Sequence, residues 1–151
     1  MSPEEFAAEM RRRSQIVHSN LGKSVANACQ LVENTAKLGM RNTTTYPEKG
    51  YARQGGRKTH YASQEGAYPA VDYARLIQGV THDVEQDGET VTGRVGTNVI
   101  EGVYTELGTS KMAPRPWLRP SLERNKEKIH NLIVSAIQGR EVTIGNVETG
   151  E

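Results

Sequence analysis

Four histidines, a single cysteine and two glycine-rich runs are the groups in this chain that could do chemistry. His18, His60, His82 and His130 are scattered, and none has a Cys, Asp or Glu partner at a metal-ligand spacing, so no metal site is expected. "GYARQGGRKT" has the glycines of a phosphate loop. However, Arg57 interrupts the required Gly-Lys-Ser/Thr, and neither a preceding strand nor a following helix is predicted. Gly93 and Gly96 in "GRVGT" fall within or at the end of a predicted strand rather than opening a crossover helix, so they do not form a dinucleotide fingerprint. Ser, His and Asp all occur without a nucleophile elbow. Cys29 sits among apolar helical positions and fits a small packed side chain better than a reactive thiol. The expectation is a protein with no catalytic residues, no cofactor and no metal.

Chemistry of recognition has more support. Arg41, Lys49, Arg53, Arg57 and Lys58 alternate with Tyr46, Tyr51 and Tyr61, a basic and aromatic mixture suited to stacking and phosphate contact. The same residue types are enriched where proteins meet proteins, which is the preferred reading, with a small nucleic-acid-binding domain as the alternative. The chain as a whole has 19 basic and 18 acidic residues, net +1, so it has no global field to steer it onto nucleic acid or an anionic membrane. No apolar run approaches the length of a membrane span, and "MSPEEF" does not open like a secretory signal. A soluble protein, cytoplasmic where it is made, is expected.

The elements that must position these groups follow from periodicity. At 151 residues the length suits one domain. Ser2, Pro3 and Glu5 form a helix start, in which serine and glutamate can satisfy the free N–H groups and proline occupies the first position. Phe6, Met10, Val17, Leu21, Val25, Ala28 and Val32 then recur at helical spacing, which predicts a helix over 3–38 with Gly39 as its stop. From 39 to 70 no apolar period of either kind survives, and an extended arm or loop ordered by a partner is expected. An Asp87-Gly88 turn between β-rich runs predicts a hairpin over 74–97. Over 98–120 a short helix ending at Gly108 leads into a proline-rich strap. Leu122, Ile129, Leu132, Ile133, Ala136 and Ile137 predict a C-terminal helix over 120–139, followed at 140–151 by an edge strand and tail. Two amphipathic helices and a hairpin can cover their apolar sides only against each other, so the fold class is α+β: a long N-terminal helix and a C-terminal helix packed on a small antiparallel sheet, with a long inserted arm or loop.

The most distinctive stretch is "YTELGTSKMAPRPWLRPSLE", Tyr104 to Glu123. Pro114 and Pro116 impose extended backbone on Ala113 and Arg115, and Pro120 suits the first turn of the next helix. The shape is therefore preset. Trp117 and Leu118 can anchor such a strap in an apolar groove, leaving Arg115 and Arg119 to pair outward.

This run, preceded by "VGTNV" and followed by the amphipathic helix, resembles the tail-completion, or head-tail joining, family of long-tailed bacteriophages and prophages. An E-x-G-T, a Pro-aromatic-Leu-Arg-Pro strap and a C-terminal helix occur there in this order. The resemblance covers about Ala74 to Gln138; the arm is longer than the family's usual link, and Trp117 stands where phenylalanine is often found. The resemblance implies a non-enzymatic structural protein of the virion neck, made in the host bacterial cytoplasm. It implies a ring, six-fold by family expectation, touching stopper, tail-terminator and tail-tube proteins, with DNA in the channel as a further contact and no membrane. On that expectation Glu106, Thr109, Lys111, Arg115 and Arg119 make subunit or neck contacts and Trp117 with Leu118 anchors the strap. The arm contacts are Tyr46, Tyr51, Arg53, Arg57, Lys58 and Tyr61.

Overall fold

A computed structural model describes residues 1–43, 45–52, 59–70 and 74–139, with side chains left out over 45–52 and 59–61. In chain order the elements are α1 (Pro3–Arg41), β1 (Thr45–Ala52), β2 (Thr59–Ser63), α2 (Arg75–Gly79), β3 (Val80–Asp87), β4 (Thr90–Thr97), α3 (Ile100–Leu107) and α4 (Leu118–Ile137). The class is α+β, with two two-stranded sheets, β1–β2 and β3–β4. Among the described residues no helix is long and apolar enough to cross a membrane. Contacts group the chain into two compact units. One comprises Met1–Gln30, Asp83–Arg94 and Lys126–Glu151; the other comprises Leu31–His82 and Val95–Asn125.

In the first unit α1 starts as its sequence predicts. Ser2 Oγ accepts from the Glu5 N–H at 3.2 Å, and Glu5 Oε2 accepts from the Ser2 nitrogen at 2.6 Å. Further along, Ser24, Ala28 and Cys29 are buried. Gly93 of β4 lies against this stretch: a Cβ there would stand 2.7 Å from Val25 Cγ1 and run into Cys29 Sγ, so only glycine permits the approach. Burial, and after it the carboxylate of Asp83, pushes the Cys29 thiol up from its ordinary pKa. On the strands Arg94 pairs with Glu85 at 2.8 Å, out in solvent. The β3–β4 link is the two residues Gly88 and Glu89, with Gly88 at φ 53°, which forces an antiparallel hairpin.

The second unit holds the main apolar cluster: Ala36, Met40, Tyr68, Ile77, Val80 and Trp117, with Leu76, Val95 and Leu118 packed on it. Beside it Glu33 is held between its neighbours, accepting from His82 Nδ1 at 2.5 Å and from Lys37 Nζ. Burial pushes the Glu33 carboxyl up, but these two partners outweigh it and hold it below its ordinary value.

Four expectations are corrected here. The helix does not stop at Gly39: it runs to Arg41, and the Asn42 N–H still reaches the Leu38 carbonyl at 3.0 Å. Gly39 is needed for closeness instead, because a Cβ there would collide with the Tyr68 ring. The arm is not a structureless loop throughout, since β1 and β2 pair antiparallel with Gly50 opposite Tyr61, Tyr51 opposite His60 and Ala52 opposite Thr59. The register breaks between Thr45 and Gly50, the span that contains Pro47, which has no N–H to give. Such a ribbon closes its backbone bonds with β-favouring Thr and Tyr and needs no apolar period. The β3–β4 hairpin covers 80–97, because residues 75–79 turn as a helix from Ala74. Finally, the face of α4 is only partly as expected: Ala136 is buried and Ile129, Leu132 and Ile133 are half-buried, but Leu122 and Ile137 are exposed, and Ser121 and Asn125 are buried in the turns that follow Trp117. The expected edge strand at 140–151 lies outside the described residues.

Candidate interaction surface

The candidate site is built from α3, the strap and the first turn of α4, all within the second unit. α3 begins where Thr97 Oγ1 accepts from the Val99 N–H at 3.1 Å and ends at Gly108, φ 77°, whose N–H returns to the Tyr104 carbonyl. Thr109 and Met112 then exchange backbone hydrogen bonds, and the Lys111 N–H bonds Thr109 Oγ1 at 3.3 Å, so the chain reverses tightly. The returning strap is tied to α3 by the Arg115 N–H donating to the Thr105 carbonyl at 2.7 Å. Trp117 Nε1 donates to the Gly102 carbonyl at 2.9 Å, under a ring that is 2% exposed. Gly102 makes room for this: a Cβ there would lie 2.9 Å from Leu76 Cδ1 and 3.4 Å from the indole.

Glu106 completes the corner. Its carboxylate accepts from the N–H groups of Trp117 at 2.7 Å, Leu118 at 2.8 Å and Arg119 at 3.0 Å. A helix start leaves four N–H groups without intrahelical partners. Here three of those groups bond one carboxylate and the fourth residue, Pro120, has none to satisfy. The negative charge also faces the positive end of the α4 dipole. Behind this cap a polar line runs through the core. Ser121 Oγ donates to the Trp117 carbonyl and meets the Tyr68 hydroxyl at 3.0 Å; Asn125 Nδ2 donates to Thr35 Oγ1 at 2.8 Å and to the Ser121 carbonyl at 2.7 Å. Arg124 covers the Tyr68 ring at 5.4 Å, a cation over a π face.

The five residues expected at contacts therefore separate into two groups. Glu106 faces inward as a cap, and Arg115 faces inward too, with Nε donating to the Ser63 carbonyl at 3.0 Å. Thr109, Lys111 and Arg119 are exposed. Trp117 is in the apolar cluster and Leu118 packs against it. Of the arm residues, Arg53, Arg57 and Lys58 lie outside the described residues, and Tyr46, Tyr51 and Tyr61 are placed by backbone alone.

A feature the sequence reading missed stands on the outer side of α3. Ile100, Val103, Tyr104 and Leu107 are exposed by 56%, 46%, 48% and 73%, while Gly102 on the other side is buried. Their spacing is i, i+3, i+4, i+7, a complete apolar helical face with solvent over it. That signal was present in "NVIEGVYTEL", but helical spacing alone does not say whether a face meets its own core or another molecule. Among the described residues no three of His, Cys, Asp and Glu are grouped to hold a metal ion. The corner as a whole is a rigid mount carrying an apolar helix face beside Lys111 and Arg119, an arrangement suited to binding a protein surface. Compared with known proteins, the chain matches no protein-family model, no curated protein and no solved structure.

Proposed function

We propose that this protein is a structural subunit of a bacteriophage neck, a tail-completion or head-tail joining protein that assembles as a ring between the capsid connector and the tail tube. The observation that carries the reading is the corner just described, taken with the sequence resemblance. The Glu of the E-x-G-T run and the Trp of the strap act on each other's elements, so the two motifs are one mechanical unit. That unit holds α3 and the Thr109–Met112 turn stiffly outward. A joint between preassembled parts needs this: interface groups already positioned lose less freedom on binding than groups on a mobile loop. The role asks for no bond to be made or broken, and Glu106, Arg115 and the Trp117 indole are engaged in caps and backbone ties.

The test is made in the virus itself. Lys111→Glu together with Arg119→Glu changes two exposed side chains and leaves the cap, the indole and the core intact. Filled heads and separate finished tails in electron micrographs, with normal amounts of the mutant protein, are the expected result. A virus deleted for the gene that still yields joined, infectious particles overturns the reading.

A further inference from the structure

The first turns of α1 carry a second apolar face with solvent over it, on Phe6 and Met10, 56% and 50% exposed. We propose that the α3 face is a self-association surface, covered in the assembly by the first turns of α1 from a neighbouring copy, lying antiparallel with Phe6 and Met10 against Leu107, Val103 and Tyr104. The inference rests on the assembly reading above and deepens it by naming the two surfaces that meet.

Three observations select this occupant. The faces are compatible in length: Phe6 and Met10 lie four residues apart, about 6 Å along α1, and fit within the rise of about 10 Å from Ile100 to Leu107 on α3. They match in charge when the helices run antiparallel. Residues 1–10 contain Glu4, Glu5 and Glu9 and no Lys or Arg, and they would meet the α3 end flanked by exposed Lys111 and Arg119. Arg13, paired with Glu9 within α1, lies one turn beyond Met10 and would come to the end of α3 that carries Glu101, itself paired with Arg75 at 3.3 Å. Glu106 does not oppose this pairing, since its carboxylate faces the three N–H groups of α4. The third observation concerns economy of surfaces. Two different apolar faces, each exposed among the described residues, are both satisfied by a single heterologous contact, and contacts of that kind generate rings when the rotation closes. The helix dipoles oppose favourably in the same arrangement, the α1 start lying beside the α3 end.

The test uses the purified full chain and sedimentation velocity, with circular dichroism to confirm that each variant keeps its helix content. Wild-type protein should associate. Phe6→Ser with Met10→Ser should weaken association at least about tenfold, and Val103→Ser with Leu107→Asp should do the same. Mixed together, the two defective proteins should form a heterodimer and stop there, because each supplies one intact face. Glu4→Lys with Glu5→Lys should also weaken association, and adding Lys111→Glu with Arg119→Glu in the same chain should restore it. Wild-type protein that stays monomeric at high concentration would overturn the assembly reading and this contact together. Association that survives the α3 substitutions, or defective proteins that do not complement, would overturn this contact and leave ring assembly standing.

Discussion

The strap corner and the first turns of α1 are both helix starts, and they are stabilised in opposite ways. At the corner local turn bonds are joined by ties between residues distant in sequence: Glu106 to 117–119, Trp117 to Gly102, Arg115 to Ser63 and Tyr68 to Ser121. At the start of α1 the ties are local: the Ser2–Glu5 capping box and the Glu9–Arg13 pair at 2.9 Å. Local bonds make a helix but do not cover its apolar side. A helix start whose Phe6 and Met10 stand in solvent gains apolar burial from a partner. The contrast separates a region that positions a surface from a region suited to completing one.

The strongest way to break this comparison is to remove the corner's anchor. Trp117→Ala deletes a buried ring and its hydrogen bond, and should lower unfolding free energy by about 3–5 kcal/mol in denaturant titrations. A loss below about 1 kcal/mol would mean that the corner is not anchored through the indole.

Glu106 comes next. Glu106→Ala leaves three N–H groups at the α4 start without a protein acceptor and should cost about 0.5–2 kcal/mol. Glu106→Gln keeps an oxygen acceptor but loses the charge facing the dipole, and should cost less, about 0.3–1 kcal/mol. Equal losses for both substitutions would show that charge, not acceptor geometry, dominates the cap.

A smaller effect is expected at Glu33, where the sign with pH is informative. Its carboxyl is held below the ordinary 4.5, so its contribution is fully present above that value and is lost as pH falls through the lowered folded value. Glu33→Gln should therefore cost about 0.2–1 kcal/mol at pH 6, and the gap between variant and wild type should close in acid. A gap that widens in acid would contradict the pairing with His82 and Lys37.

The smallest effect belongs to the other side of the comparison. Phe6→Ser should change the stability of dilute, dissociated protein by no more than about 0.5 kcal/mol, the range for an exposed site. A loss comparable to that at Trp117 would show that the α1 start is packed after all.

Much of the element order could be read from residue types alone. The helix start at Ser2, the turn at Gly88, the stop of α3 at Gly108 and the stop at Gly139, φ 73°, are local chemistry, decided within a few residues by caps and by positive φ. The hairpin at β1–β2 was not legible, because a ribbon stabilised by backbone pairing leaves no apolar period to detect. Nor was the polar line through Ser121 and Asn125, since their partners Tyr68 and Thr35 are far away in sequence. Within the candidate site the strap and its tryptophan were legible from proline stereochemistry and size. The inward direction of Glu106 and Arg115 was not, because both are charged residues that sequence reasoning places on the surface by default.

By itself, then, the sequence determined where helices and turns begin and end, since caps, prolines and positive-φ glycines act over a few residues through sterics and nearby hydrogen bonds. Tertiary structure decided which way each side chain faces, because that depends on acceptors and cavities brought together from distant segments. Glu106 caps α4 only because the strap folds back to put three N–H groups within its reach.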